Sequence, residues 1–388
     1  MVLFDDHYRD ELMPLVLTKP CAMLRVGILP IAEKWQLMFP EETLSFSTDH
    51  YLQSKFGEPA HGEQLWINGR FLPTNQLSDQ IRNLKSGEAL VKEQTLVAAL
   101  TSFTDAGFIM ERCKLSSIDY EVVEIAHPWD IYHHNGAAIQ RDWDLMGLEP
   151  KMNKSSEGGI SVYGEDIFIH PEAKVRGASL NSETGPIYIG RNAEIMEGSC
   201  VRGPFVLGES ATLKMGTKIY GATTIGPYSK VGGEVSNSVI MGYTNKGHDG
   251  FIGNSVIGEW CNLGADTNCS NLKNNYGSVR VWNYRLEKMV DTGLQFCGLI
   301  MGDHSKTGIN TMLNTGTVVG VAANIFGGGF PDKFIPSFSW GGAHGFETFE
   351  LDKAFEVAER MMDRRGVKFT DADREILRHI YSFSEKYR

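Results

Sequence analysis

Aliphatic residues recur every six positions through the middle of the chain. The strict part of this pattern runs without a slip through Ile189, Ile195, Val201, Leu207, Leu213, Ile219, Ile225 and Val231. Neither an amphipathic helix nor an alternating strand produces a period of six. Small residues such as Ala193 and Ala211 stand two positions before most of these aliphatics, and glycines such as Gly190 follow several of them. Short strands joined by tight corners need that composition, so the pattern predicts a parallel β-helix of hexapeptide repeats.

The repeat extends beyond its strict part on both sides. It is interrupted by the polar run 243–250 and by a longer excursion over residues 273–293, and it returns until Ile325. Interruptions of a regular solenoid are where function usually lies. We predict four segments, which are an α/β domain at 1–125, a connector at 126–160 with a polar boundary at 151–159, the β-helix at 161–345 and a helical tail at 346–388.

Hydrophobic patterning in the first segment predicts alternating strands and helices. Residues Val2–Phe4 form a short apolar run that predicts a strand, and a loop and a helix through Trp35 follow. Residues 64–72 predict a strand pair that turns at Asn68-Gly69, and residues 76–91 predict a helix. No glycine occurs between residues 5 and 13, where a phosphate-binding loop would follow the first strand.

The last segment predicts two helices. The first spans residues 351–365 and stops at Gly366, and the second opens at Thr370, with Asp373 completing a capping box, and runs to about Tyr387. Because a bare solenoid end exposes unpaired strand edges, we expect these helices to cover the open end of the coil.

Composition narrows the partners of the chain. A formal charge of −11 over 388 residues argues against a general binder of nucleic acid or anionic membranes, so small metabolites are the expected ligands. The six cysteines lack any CxxC pair and are expected to be reduced, mostly buried thiols. The adjacent His133 and His134 cannot both face one ion from a helix, so no metal site is predicted. Without an early apolar segment, the protein is expected to be cytoplasmic.

One histidine stands out in the first break of the repeat. His248 lies between Gly247 and Gly250, on a loop that leaves its imidazole free to face a ligand. Imidazole is the side chain that exchanges a proton near neutral pH, so His248 is a candidate base. The nearby Asn262 and Asn271 supply neutral amides that can hold hydroxyl and carbonyl groups.

The segment that begins at His248 carries a family resemblance. Residues 248–271 read HDGFIGNSVIGEWCNLGADTNCSN. This resembles the acetyltransferase signature of the GlmU family, H-x-x-Y-x-G-D-x-x-I-G-x-x-x-N-x-G-A-G-T-x-x-x-N, whose members are bifunctional enzymes that make UDP-N-acetylglucosamine. Leu213, Lys214 and Gly216 resemble that family's L-R-x-G, and the whole-chain layout resembles a shortened, GlmU-like sugar nucleotidyltransferase branch. The resemblance implies an α/β N-terminal nucleotidyltransferase-like domain followed by a left-handed parallel β-helix with C-terminal helices.

The resemblance also implies a reaction and its residues. An acetyl group would pass from acetyl-CoA to the amino group of a sugar phosphate like glucosamine 1-phosphate, in UDP-N-acetylglucosamine synthesis. His248 would be the general base and Asn271 would position it or the amine, while Ala265 would contact the acetyl-CoA arm. The substrate-binding residues would be Lys214, Phe251, Asn262 and Lys273. Relatives of this coil form trimers with the acetyl-donor site between chains, which implies a homotrimer.

Departures from the family pattern limit what carries over. Phe251 replaces a tyrosine that contacts the sugar phosphate, Asp266 replaces a glycine, and Ser236 falls where a phosphate-binding lysine would align. These changes affect the phosphate contacts and leave acyl transfer itself in place.

The α/β domain at residues 1–125, called here the front domain, departs further from the family pattern. Its glycine loop is missing, and Cys21-Ala22 stands where the family has a lysine. The remaining candidates for nucleotide contact are Asp5, Asp6, Lys19 and Arg25. UTP would be a partner, and Mg²⁺ a cofactor held by Asp5 or Asp6, only if this domain is active. We expect uridylyl transfer to be weak or absent.

Two other functions fit a coil of this kind. A γ-class carbonic anhydrase needs an H-x4-H zinc pair, but Gly253 stands five residues after His248 and Ile309 five after His304. That pattern therefore fails. The other alternative is a sensor or scaffold that binds sugar nucleotides without turnover.

Overall fold

The hexad pattern folds into the predicted solenoid. A computed structural model describes residues 1–151 and 159–388, so most of the predicted boundary at 151–159 lies outside the described residues. The eight aliphatics of the strict pattern are all buried. They fall in turn on the three faces of a β-helix, so that one coil advances every 18 residues, as from Ile189 to Leu207. The parallel strands form a β-helix of the expected left-handed type.

The first face of the solenoid, called here the docking face, carries the front domain. Its strands are β8 Ile167–Ile169, β11 Ile187–Ile189, β14 Phe205–Leu207, β17 Thr223–Ile225, β20 Val239–Gly242, β23 Val256–Glu259, β28 Leu299–Met301, β31 Thr317–Val319 and β33 Phe334–Ile335.

The second face, called the cleft face, is the longest. Its strands are β9 Lys174–Val175, β12 Glu194–Ile195, β15 Thr212–Leu213, β18 Lys230–Val231, β21 Asn245–Lys246, β24 Asn262–Leu263, β29 Lys306–Thr307, β32 Asn324–Ile325, β34 Ser339–Gly342 and β35 Gly345–Thr348. The last two form an antiparallel hairpin that ends this face.

The third face, called the open face, presents exposed apolar side chains. Its strands are β7 Ser161–Tyr163, β10 Ser179–Asn181, β13 Cys200–Arg202, β16 Lys218–Tyr220, β19 Glu234–Ser236, β22 Phe251–Gly253, β25 Asn268–Cys269 and β30 Met312–Leu313. Tyr163, Tyr220 and Met312 are exposed here.

The polar run 243–250 differs from the prediction. It is no excursion, because β21 continues the cleft face and Lys246 pairs with Val231 in the column that points into the coil. Lys246 is buried in place of an aliphatic residue. The excursion after residue 273 is confirmed and contains a hairpin of β26 Arg280–Asn283 and β27 Lys288–Asp291.

The front domain is a six-stranded mixed sheet with helices. Its strands are β1 Val2–Phe4, β2 Ser45–Ser47, β3 Gln64–Asn68, β4 Glu88–Lys92, β5 Thr95–Thr101 and β6 Lys114–Ser117, in the order β2-β1-β3-β5-β4-β6. Its helices are α1 Ile31–Met38, α2 His50–Phe56, α3 Asn75–Arg82 and α4 Ala106–Arg112.

Two predictions for this domain are wrong. The turn at Asn68-Gly69 does not join a strand pair, because β3 pairs with β1 and β5 instead. The helix expected over 76–91 ends at Arg82, and its second half is strand β4.

Helix α5, Pro128–Leu145, joins the front domain to the coil. It packs against α1 on one side and against β14, β17, β20 and β23 of the docking face on the other. Asn135 lies at the centre of this contact, because its Oδ1 accepts from Gly27 N at 2.7 Å and from Thr224 Oγ1 at 3.1 Å. Helix α5 thus packs the front domain onto the coil.

The tail forms two helices, α6 Leu351–Asp363 and α7 Asp371–Phe383, and the capping box of Thr370 and Asp373 is present. We expected these helices to cover the end of the coil. Instead they fold back along its side. Arg365 Nη2 donates to Asn245 Oδ1 at 3.1 Å on strand β21. Helix α7 packs against α2, with Lys55 and Asp373 paired at 2.8 Å. This position buries Phe355 and Met362 of α6 in the apolar core that they share with the front domain.

No helix among the described residues is long and apolar enough to cross a membrane. Five of the six cysteines are buried and Cys200 is exposed, and all six are free thiols.

Candidate functional site

A cavity of about 890 Å³ lies between the cleft face and helix α6. Its floor is formed by outward side chains of β18, β21, β24 and β29, and its wall is the last turn of α6. Ala354, Phe355, Ala358 and Met362 anchor the buried side of the helix. The side of the helix end that lines the cavity carries Arg360, Arg364 and Arg365 together with the apolar Val357 and Met361.

His248 lies at the rim of the cavity. It is exposed on the loop between β21 and β22, where the cleft face turns into the open face. Its carbonyl oxygen accepts from Lys246 Nζ at 3.0 Å. Within the described part of the chain, its imidazole makes no hydrogen bond, so the ring is available to a ligand.

Four of the residues predicted for acetyl transfer share this cavity: His248, Lys214, Asn262 and Ala265. Asn262 belongs to β24, and Ala265 follows it at the next corner of the coil. Lys214 follows β15. The cavity thus combines a candidate base, an amide, a cation and backbone next to a small side chain.

The other three predicted residues lie elsewhere in the chain. Asn271 Nδ2 donates to Asn254 Oδ1 at 2.8 Å, at the corner of the open face opposite His248. Phe251 lies on β22, and Lys273 Nζ donates to the carbonyl of Ser278. A single chain therefore does not bring Asn271 to His248.

Sequence reasoning missed five cations that line the cavity: Lys230, Lys306, Arg360, Arg364 and Arg365. Together with Lys214 they make the site strongly basic in a chain whose formal charge is −11. Among the residues that the structure describes, no aspartate or glutamate lines this cavity. A local signal exists for two of them, because Lys230 and Lys306 each directly precede an inward residue of the hexad pattern and must therefore point outward.

Burial lowers the pKa values of Lys230 and Lys306. Burial, followed by the nearby Arg365, Lys214 and Arg364, lowers the pKa of Lys230. Burial lowers the pKa of Lys306 to about 8. Both ammonium groups are thus held under conditions that disfavour their charge, which a bound anion would relieve.

The candidate nucleotide residues of the front domain are already paired. Asp5 accepts from Arg9 Nε at 3.2 Å and from Thr48 Oγ1 at 2.6 Å. Asp6 accepts from Arg70 Nη2 at 2.6 Å. Burial disfavours the Asp6 carboxylate, but Arg70 outweighs it and lowers the pKa of Asp6.

The two basic candidates contact the coil instead of an open pocket. Lys19 Nζ lies 2.7 Å from Glu259 and 3.0 Å from Asp303, and these carboxylates outweigh burial and raise the pKa of Lys19. Arg25 Nε donates to Met241 O at 3.3 Å, and burial lowers the pKa of Arg25. All four candidates therefore lie within intramolecular contacts.

These carboxylates do not fit a magnesium ion. Asp5 and Asp6 already accept from guanidinium, hydroxyl and amide groups, which leaves no open set of oxygen ligands. The described residues contain no group of three or more His, Cys, Asp or Glu placed to hold a metal.

Comparison with known proteins agrees with this architecture. Residues 1–149 match the family model described as sugar nucleotidyl transferase. The chain is 26% identical over 210 residues to the bifunctional protein GlmU of Synechococcus elongatus, which covers 51% of this chain and 42% of that protein. It is 31% identical over 169 residues to GlmU of Corynebacterium glutamicum, covering 41% and 31%.

A third relative is the bifunctional sugar-1-phosphate nucleotidylyltransferase/acetyltransferase of Sulfurisphaera tokodaii. The match is 30% identical over 155 residues and covers 35% of this chain and 38% of that protein. The chain thus spans about half or less of the length of these curated relatives.

Solved structures include two likenesses of the solenoid. One is the polySia specific acetyltransferase NeuO, with a TM-score of 0.28 and 14% identity over 54% of this chain and 94% of that one. The other is Arabidopsis UDP-N-acetylglucosamine acyltransferase, with a TM-score of 0.23 and 16% identity over 55% and 73%. The chain is thus similar to the sugar nucleotidyl transferase family over residues 1–149 and to GlmU proteins over part of its length.

Proposed function

We propose that this protein is an acetyltransferase that moves an acetyl group from acetyl-CoA to the amino group of a sugar phosphate like glucosamine 1-phosphate. The observation that carries the proposal is the basic cavity in which His248, Lys214, Asn262 and Ala265 meet. Both proposed substrates carry phosphate, and guanidinium and ammonium groups are its usual partners. The similarity to GlmU proteins supports the proposal that this reaction belongs to UDP-N-acetylglucosamine synthesis.

The chemistry assigns each group a step. An ammonium has no lone pair, so His248 accepts a proton from the sugar amine as the nitrogen attacks the thioester carbon. The C–S bond then breaks, the amide forms and the sulfur of CoA leaves as a thiol after taking up a proton. Asn262 would hold the sugar, and Lys214 would hold its phosphate.

The position of Asn271 leads us to propose a site shared between copies. Asn271 and His248 lie at opposite corners of the open face, with β22 and β25 between them. Packing the open faces of a homotrimer would bring Asn271 of one copy toward His248 of another. The roles of Phe251 and Lys273 as substrate contacts depend on the same packing.

For the front domain we propose no uridylyl transfer from UTP. The nucleotide roles of Asp5, Asp6, Lys19 and Arg25 stay a prediction, and their present partners do not support it. Pyrophosphate release from UTP and N-acetylglucosamine 1-phosphate is the measurement that checks this.

The test of acetyl transfer is thiol release from acetyl-CoA with a panel of amino-sugar 1-phosphates. His248→Ala should lower kcat by roughly 10²–10⁴-fold with little change in acetyl-CoA binding, because a base acts in the transition state. The matched control is His344→Ala, an exposed histidine in the turn between β34 and β35. Unchanged turnover in His248→Ala would refute the assignment, and binding of UDP-sugars without any turnover would favour a sensor.

A further inference from the structure

Helix α6 brings three arginines to the cavity, and the acetyl-transfer proposal assigns no individual role to any of them. Arg360 lies in its last turn, Arg364 is its C-cap residue, and Arg365 follows. Gly366 then ends the helix with a φ of 69°. The three guanidinium groups thus form a wall opposite the coil.

The floor below this wall is an ordered column of side chains on the cleft face. Lys230, Asn245, Asn262 and Lys306 are consecutive partners in register across four parallel strands. Neighbouring strands lie about 4.8 Å apart, so Lys230 and Lys306 lie about 14 Å apart with two amides between them. A ligand along the column would meet a cation at each end and hydrogen-bonding amides in the middle.

Apart from Arg360, the cations of this group form no ion pair within the described part of the chain. Among the described residues, the side chains of Lys230 and Arg364 form no hydrogen bond or ion pair. Lys306 Nζ donates only to the carbonyl of His304 at 2.7 Å. Arg365 donates to Asn245, and Arg360 pairs with Glu356 on its own helix.

The helix dipole explains only some of the cations around the cavity. Cations near a helix C-terminus interact favourably with its dipole, which accounts for arginines at the end of α6. That reason does not apply to Lys230 and Lys306, which lie on the coil. Holding like charges together on both sides of one cavity costs free energy unless an anion joins them.

We propose that the end of α6 and the column from Lys230 to Lys306 form a binding site for the diphosphate group of a nucleotide ligand. A diphosphate carries several acceptor oxygens on adjacent phosphorus atoms, which suits a cation wall facing a cation–amide floor. The diphosphate would belong either to coenzyme A, if the proposed acetyl transfer is correct, or to a nucleoside diphosphate sugar. The proposal gives the C-terminal helix a direct role in ligand binding.

The test is calorimetric binding of inorganic pyrophosphate, coenzyme A and UDP-N-acetylglucosamine to the full chain. Arg364→Ala and Lys230→Ala should each lower the affinity for whichever probe binds the wild type by about tenfold. Added salt should also lower the affinity of the wild type. The control Lys353→Ala, an exposed lysine of α6 outside the cavity, should bind as wild type. Thermal unfolding of each variant checks that α6 is retained.

The outcomes separate the two proposals. If Arg364→Ala and Lys230→Ala bind the probes as tightly as the wild type does, the diphosphate site is overturned. It is also overturned if none of the three probes binds the wild type. Binding of UDP-N-acetylglucosamine that depends on Arg364, without acetyl transfer to any sugar, keeps the site and overturns the proposed reaction. Acetyl transfer with coenzyme A binding independent of Arg364 keeps the reaction and overturns the site.

Discussion

At the scale of single residues, Lys246 shows what sequence patterning missed. It occupies the inward column of the coil, where the hexad rule predicts an aliphatic side chain. Its Nζ donates to Gly232 O at 2.9 Å and to His248 O at 3.0 Å, and burial lowers the pKa of Lys246 to about 8. A lysine reads as polar and therefore as a break, because patterning cannot show that two backbone carbonyls satisfy its ammonium.

We predict that Lys246→Met leaves the fold intact but slows acetyl transfer. Methionine fills the same apolar column and removes a charge that burial disfavours. The His248 loop loses its anchor, so kcat should fall by about 10–100-fold while KM for acetyl-CoA stays unchanged. Steady-state rates and thermal unfolding test this against Lys288→Met, an exposed lysine of β27. An unchanged kcat would give Lys246 a structural role only.

His304 gives the fold a dependence on pH. Its Nδ1 is buried and has no hydrogen-bond partner among the described residues. Burial lowers the pKa of His304 to about 3, with Lys306, Lys55 and Lys19 acting in the same direction and Asp373 opposing them. An unfolded histidine has a pKa of about 6.5, so the unfolded state binds more protons between these values. The stability from neutral His304 is therefore complete above about pH 6.5 and is lost as the pH falls toward 3.

We predict that lowering the pH from 7.5 to 5 costs at most about 2 kcal/mol of unfolding free energy through His304. His304→Asn should remove this part of the slope, because asparagine does not titrate and tolerates the φ of 62° found here. Denaturant unfolding at both pH values measures the slope, with His344→Asn as the exposed control. Equal slopes for wild type and His304→Asn would show that another group carries the effect.

At the scale of elements, the correct predictions concern elements that depend on residues close in sequence, and the wrong ones concern elements that depend on distant strand partners. The hexad strands and the Thr370–Asp373 capping box depend on nearby residues, and both are observed. The turn at Asn68-Gly69 was misjudged because β3 finds its partners, β1 and β5, far away in sequence. Likewise, residues 88–92 form a strand because β5 and β6 pair with them. Such pairing is tertiary and leaves no local signal.

We predict that Thr370→Ala destabilises α7 by about 1 kcal/mol, the usual value of an N-cap hydroxyl. Thr370 Oγ1 accepts from Asp373 N at 3.3 Å, and Thr370 N donates to Asp373 Oδ2 at 2.8 Å. The shift in denaturant midpoint measures the loss. Ser382→Ala, an exposed hydroxyl late in the same helix, should leave the midpoint nearly unchanged, and an equal loss in both variants would contradict the capping role.

At the scale of the whole molecule, the front domain and tail cover two faces of the coil. One apolar core includes front-domain residues such as Leu12, docking-face residues such as Val239 and tail residues such as Phe355, while the coil interior is a separate core. Buried polar contacts such as Thr18 to Asp303 at 2.6 Å add specificity to this docking. Sequence patterning predicts both cores but not their docking, which explains why the arginines of α6 were not assigned to the cavity.

The open face remains uncovered in a single chain, and we predict that it joins three chains. Tyr163, Tyr220 and Met312 expose 53%, 41% and 38% of their surface on this face, and the flat faces of a three-sided coil suit closed three-fold packing. Light scattering should give about 130 kDa, since one chain has a mass of 43.1 kDa. Met312→Glu should lower that mass, whereas Leu286→Glu, on the hairpin loop, should not.

If the site is shared between chains, a variant that loses the trimer should also lose acetyl transfer. Met312→Glu places a charge on the open face, away from the cavity, so it leaves the His248 side of each chain intact. Loss of both the trimer and acetyl transfer in this variant, with both retained in Leu286→Glu, is the result expected if Asn271 acts on the His248 of a neighbouring copy. A wild-type monomer of about 43 kDa with full turnover would contradict both the trimer and the shared site, and His248 would then act without Asn271.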